Sequence, residues 1–462
     1  MSQRKKIILN AFNENCVGHI NHGLWTHPRD RSHEYKTIAH WTDLAKTLER
    51  GLFDGIFIAD ILGVYDIYQA NVDVTLRESV QLPINDPLLL VSAMAAVTQH
   101  LGLGVTVNIL SEHPYLLARK FSTLDHLSNG RFGWNIVTGY LDSAAKAIGL
   151  NQQVIHDERY DRADETLDVL YKLLEGSWED DAVVNDKAAR VYADPRKVHQ
   201  IRHHGRFHQL EGYHLSEPSV QRTPVLYQAG ASGRGQAFAA KHAEAVFIGG
   251  NDKARVKKTV DGLRQQVVQA GRHADDLKIV LGVSVVPGKT HAEALEKHAD
   301  YVRHASPEAG LAHFSSSIGV DLSRYELDEP IVLSHTNSIQ SSLKVIEQLG
   351  GTRRKLLEYF SLGGRYAAIV GDPSEVAEEL ISWVDETGID GFNLTRTVVP
   401  ESFVDFVDLV VPELQSRGAY KTAYGEGSLR NKLFARGDRL PLRHTASSHR
   451  IQAAVIDEKS AV

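Results

Sequence analysis

Eight short β-rich runs, each followed by a helical pattern, are the feature that most limits what this chain can fold into. They lie at 6–12, 55–60, 103–108, 132–138, 223–230, 245–249, 278–286 and 391–395. Strands that alternate with helices argue for parallel βα units rather than hairpins, and eight such units close into a (β/α)8 TIM barrel. The helices carry their own punctuation. Asp372-Pro373-Ser374-Glu375 supplies an N-cap, a proline at the first helical position and a glutamate three residues after the cap, and Gly388 ends the same helix. At residues 124–130 a helix stops with Gly130 in the left-handed position. The run Arg131-Phe132-Gly133-Trp134-Asn135-Ile136-Val137-Thr138-Gly139-Tyr140 then reads as a strand that delivers polar groups to the barrel rim, so chemistry is expected where strands end.

The expected organisation is one barrel over residues 1–417, with long insertions at about 139–222 after the fourth strand and 289–390 after the seventh. Insertions of that size build lids, pocket walls or oligomer contacts. Residues 418–462 are polar and arginine-rich without an amphipathic period, and read as an arm that packs on another subunit of a homodimer or homotetramer. The single cysteine, Cys16, excludes an intrachain disulfide and a multi-cysteine metal site. With 51 basic and 58 acidic residues, the formal charge of -7 speaks against a nucleic-acid partner. No apolar run is long enough for a membrane span, and Ile7-Ile8-Leu9 is too short for a secretory core, so the expected location is cytoplasmic.

Several rim positions stand out. After the fifth run, Gly230-Ala231-Ser232-Gly233-Arg234-Gly235 is a glycine-rich turn opening a helix, where backbone N–H groups with Ser232 and Arg234 form a phosphate cradle; the competing reading is a turn with a solvated arginine. Asp60 ends the second run and reads either as a cofactor hydrogen-bond acceptor or as a helix cap. The first loop collects Cys16, His19, His22 and His27 around Trp25. That spacing matches no zinc motif, so a pocket wall is expected and no metal. From the residues alone His313 reads as a helix-face histidine covering the barrel, and Tyr160 stays open between ligand contact and structural hydrogen bond. No dinucleotide fingerprint and no nucleotide-triphosphate loop occurs.

Together, Asn10-Ala11-Phe12, Cys16-Val17-Gly18-His19, Gly23-Leu24-Trp25, Asn85-Asp86-Pro87, the 134–138 strand, Trp178-Glu179-Asp180, Gln228-Ala229-Gly230 and Asp390-Gly391-Phe392-Asn393 resemble the flavin-dependent monooxygenases of the bacterial luciferase superfamily. The resemblance covers nearly the whole chain and is to the nitrilotriacetate monooxygenase group, most of all its alkane- and dimethyl-sulfide-oxygenating members. It implies an enzyme that takes reduced FMN, delivered by diffusion from a separate NAD(P)H-dependent flavin reductase, and forms a C4a-hydroperoxide with O2 to oxygenate a small apolar organic substrate, an alkane or organosulfur compound. By the same resemblance Asp60, Thr106, Thr138, Gly139 and Tyr160 touch the flavin, with Ala231, Ser232 and Arg234 near its phosphate. Cys16, His19, Tyr65, Gln81, Tyr140 and His313 lie on the catalytic, substrate side. Where the alkane-oxidising members carry a histidine after Val-Thr-Ser, this chain has Gly139-Tyr140. The long second insertion is expected to cover the rim through residues 305–365. A deazaflavin-dependent oxidoreductase, a non-catalytic flavin-binding protein and a metal hydrolase are the competing readings.

Overall fold

A computed structural model describes residues 5–110, 112–230, 232–332, 346, 350–360, 362 and 366–451. Each of the eight expected runs forms a strand: β1 (Ile8–Glu14), β2 (Gly55–Ala59), β3 (Gly102–Asn108), β4 (Phe132–Val137), β5 (Val225–Gln228), β6 (Ala245–Ile248), β7 (Lys278–Pro287) and β8 (Gly391–Thr395). Every strand pairs in parallel with the next, and Ile8 opposite Gly391 joins β8 back to β1, so the sheet closes into the expected (β/α)8 barrel. Parallel strands are covered on both faces, which is why every residue of β1 and β3 is buried. The barrel sheet has one strand beyond the eight expected runs. β7 is long enough to fork, and its outer half pairs with Ala367–Gly371, a stretch the sequence reading had left inside the second insertion.

The bore is filled, not hollow. Phe12, Phe57, Tyr227 and Phe247 meet edge to face or tilted, with centroids 4.9–6.0 Å apart. Gly133 makes room for them, since a Cβ there would lie 2.6 Å from the Tyr227 ring. The foot is sealed by the C-terminal segment: a Cβ on Gly102 would come within 2.6 Å of Leu429. Beside it, Arg430 forks onto buried Glu244 at 2.6 and 2.9 Å and donates to the Thr223 carbonyl at 2.9 Å. Over its described residues the arm packs on its own barrel. Its helix, Leu429–Phe434, is too short to show an amphipathic period, and guanidinium-to-carbonyl and ion-pair contacts add to the burial of Leu429.

The first insertion carries helix His156–Gly176 and two hairpins, Val183–Asp186 with Val191–Ala193 and Ile201–His204 with Gln209–Gly212. The second carries helices His291–His304 and Pro307–Ile318, the latter buried from Ala309 to Ile318. Residues 333–345 of this insertion lie outside the described residues. Among the described residues no helix is long and apolar enough to cross a membrane. Because Glu244 and Arg430 are both buried, Arg430→Ala should cost about 3–5 kcal/mol by stranding the carboxylate, and the paired replacement Glu244→Gln/Arg430→Met should cost less. Thermal unfolding of the two variants checks this; equal losses would show that the ion pair does not hold the arm.

Candidate functional site

The C-terminal ends of β2 to β5 surround a cleft of about 230 Å³, open to solvent on one side. Asp60 follows β2, Asn108 ends β3, Thr138 and Gly139 follow β4, and Gln228 ends β5, so adjacent strands deliver one polar group after another to it. Helix His156–Gly176 adds Arg159 and Tyr160 from the side. Gly139 has φ +71, and a Cβ there would lie 2.8 Å from the Asn108 amide nitrogen, so the chain turns at that point only because no side chain is present. Of the expected flavin contacts, Thr106 is not in the cleft. It is buried inside the barrel wall, where its hydroxyl accepts from Asn135 at 2.8 Å.

The glycine-rich turn has the geometry of an anion cradle. Ser232 caps helix Gly233–His242 by accepting from the Gly235 N–H at 3.0 Å, leaving other first-turn N–H groups to face the rim. The Tyr160 hydroxyl contacts the side chains of Ser232 and Gln228, and burial pushes its pKa up. A Cβ on Gly230 would lie 2.6 Å from that hydroxyl, and one on Gly235 2.7 Å. Gln228 is buried, and among the described residues its Oε1 has no hydrogen-bond partner. Arg234 departs from expectation. Its Nη2 is held by Asp164 at 2.6 Å and Asp161 at 3.1 Å, so two carboxylates of the neighbouring helix already balance its charge. Sequence spacing alone cannot see that pairing. Ala231 lies outside the described residues.

Four expected substrate-side residues do converge. The Tyr65 ring stacks on His313 at 4.6 Å, its hydroxyl donates to Gln81 Oε1, and it accepts from the Tyr140 hydroxyl at 3.4 Å. His313, on helix Pro307–Ile318, is also hydrogen-bonded to His22 across 3.1 Å. Cys16 and His19 sit deeper and do not line the cleft. Cys16 is fully buried, its thiol donates to the Gly18 carbonyl at 3.2 Å, and burial followed by the Glu14 charge pushes its pKa well up, so it stays a thiol and not a nucleophile. His19 packs edge-on against Phe12 at 4.6 Å. The loop histidines thus turn to separate partners. His27 instead joins Asp300 and His304, but its Nε2 donates to Asp300 at 2.9 Å and its Nδ1 accepts from the Arg29 N–H, which accounts for both ring nitrogens as structural.

Sequence reasoning missed Asn108, Arg159 and Glu14, and gave Gln228 no role of its own. Glu14 could have been found by alternation: it is two residues past Phe12 on the same face of β1, but the run had been ended at Phe12. It is fully buried, and desolvation, with Asp60 adding to it, raises its pKa to about 8. Asp60 is raised to about 7 by burial and then by the charge of Asp86. Asp60 is thus an acid poised near neutrality on the cleft wall, suited to holding or releasing a proton, with Glu14 buried outside the cleft lining.

Residues 21–391 match the family model described as luciferase-like monooxygenase. The chain is 49% identical to the long-chain alkane monooxygenase of Geobacillus thermodenitrificans (strain NG80-2), over 96% of this chain and 98% of that protein. It is 45% identical to the dimethyl-sulfide monooxygenase of Hyphomicrobium sulfonivorans, over 97% and 94%. Among solved structures, riboflavin lyase with modified FMN and substrate riboflavin superposes with a TM-score of 0.92 at 36% identity, over 97% of this chain and 100% of that one.

Glu14 binds its proton more tightly folded than unfolded. Its contribution to stability is therefore complete below pH 4.5 and lost as pH rises through about 8. Glu14→Gln should flatten the fall in stability across that window in denaturant unfolding, and an unchanged slope would show that Glu14 is not the group responsible.

Proposed function

Since this chain belongs to the luciferase-like monooxygenase family, we propose that it is the oxygenase of a two-component system, taking reduced FMN from a separate flavin reductase and oxygenating a small apolar organic molecule, an alkane or organosulfur compound. The observation that carries this reading is the cradle at the end of β5. An orphaned buried Gln228 oxygen, glycine walls at Gly230 and Gly235, and a Ser232-capped helix start together fit a ring system with donor groups and a phosphate tail. When bound, reduced FMN would supply the electrons that activate O2.

The chain's own residues have the remaining tasks. Asn108, Gln228 and Tyr160 would hold the flavin, and Ser232 with the first-turn N–H groups its phosphate. Asp60, with a pKa of about 7, is suited to exchange a proton at its carboxylate oxygen near neutral pH. Tyr65, Gln81, Tyr140 and His313 would orient the substrate, and helix Pro307–Ile318 would exclude water above it. The absence of a dinucleotide fingerprint in the sequence supports a reductase on another chain.

Because a Cβ at Gly230 would crowd the Gln228 amide at 2.2 Å, Gly230→Ala should weaken FMN at least about tenfold, equivalent to about 1.4 kcal/mol. Flavin fluorescence titration measures this, and unchanged FMN affinity would move the cofactor elsewhere. In turnover, NADH should be consumed only when a flavin reductase is added. Efficient NADH oxidation by the purified chain alone would overturn the two-component reading.

A further inference from the structure

His22 lies outside the cleft lining, but it grips helix Pro307–Ile318 at two points. Its carbonyl accepts from the backbone N–H of Ser306, the N-cap of that helix, at 2.9 Å, and its ring Nε2 lies 3.1 Å from Nδ1 of His313, about two turns further along. The approach is made by main chain. Gly23 has φ +91, and a Cβ there would lie 2.4 Å from both the His304 carbonyl oxygen and the Ser306 nitrogen, so the first loop runs in backbone contact with the start of the helix. The His22 ring is thus delivered to His313 by a segment seated on the helix itself.

Two contacts then define the His313 ring. Tyr65 stacks on its face, with centroids 4.6 Å apart and planes 28° apart, and this sets the plane of the imidazole. Stacking alone does not tell one edge of the ring from the other, because turning the ring over about its Cβ–Cγ bond exchanges Nδ1 with a carbon and leaves the stacked face filled. His22 breaks that equivalence. It meets His313 with the ring planes at 77°, and only a nitrogen at that edge can form the 3.1 Å contact. The two residues are 6% and 5% exposed, so bulk water is poorly placed to replace either partner.

The same contact assigns the hydrogen. An Nε2-to-Nδ1 pair of neutral imidazoles has two arrangements: His22 donates from Nε2–H while His313 keeps its hydrogen on Nε2, or His313 donates from Nδ1–H while His22 keeps its hydrogen on Nδ1. In the first, both rings hold the Nε2–H form that an unconstrained histidine prefers; in the second, both hold the other. Building on the function proposed above, we propose that His22 is a positioning residue that donates to His313 Nδ1 and so holds His313 as a donor, through Nε2–H, to an oxygen atom on the substrate side. His22 acts only through His313.

Nitrogen NMR spectra of the full chain, isotope-labelled at histidine and with the His313 signals assigned by their loss in His313→Gln, read the tautomer directly and require neither flavin nor substrate. His313 should show a bare Nδ1 and a protonated Nε2, and a hydrogen on Nδ1 would overturn the proposal. His22→Phe keeps a ring but no donor, whereas His22→Gln places an amide N–H near the reach of Nε2. With flavin reductase and FMN supplied, and dimethyl sulfide or hexadecane as substrate, His22→Phe should lower kcat about tenfold, the worth of one hydrogen bond, while the FMN dissociation constant stays within about twofold. His22→Gln should recover most of that loss. Equal kcat in all three proteins, or equal loss in the two variants, would show that His22 only fills space and would overturn its role. A wild-type chain that binds no FMN, or oxygenates neither substrate, refutes the function proposed above, and the spectra of the protein without ligands still decide the His22–His313 pair.

Discussion

The filled bore of the barrel is the constraint from which the rest of this structure follows. Phe12, Phe57, Tyr227 and Phe247 occupy the interior, and Leu429 with Arg430 seals the foot, so no cavity can pass through the axis. Open space is left where strands end and loops begin. The cleft lined by Asp60, Asn108, Thr138 and Gln228 sits at that rim, and each of its polar groups is held by a strand whose other end is locked in the core.

Burial decides the charge state of groups that look equivalent in sequence. Glu244 and Glu14 are both buried carboxylates on this barrel, but Glu244 has the Arg430 fork while Glu14 has mainly a thiol beside it. The first has a charged partner within hydrogen-bond reach; burial favours the second as the neutral acid. Arg234 shows the converse. A cation placed beside an anion cradle is already balanced by Asp161 and Asp164, so the cradle relies on backbone N–H groups, a capping serine and a tyrosine hydroxyl. The substrate side is built from rings instead, with Tyr65 between His313 and Tyr140, where stacking and single hydrogen bonds set orientation without a fixed charge.

Local chemistry was enough to determine the strand runs, their parallel order, the cap at Asp372 and the left-handed glycines at Gly130 and Gly388, because hydrophobic alternation, proline and glycine act over a few residues. The same short-range reading placed Asp60, Thr138 and Ser232 at the rim, since residues that end or follow barrel strands must lie there. The tertiary structure alone decided what depends on chain segments far apart in sequence. The arm turned back onto Glu244, Arg234 was taken up by the first insertion, Thr106 was enclosed by Asn135, and His313 came to meet His22. The reason is physical: an ion pair, a desolvated carboxyl or a cavity wall exists only between groups that folding brings together, and no local pattern records its partner.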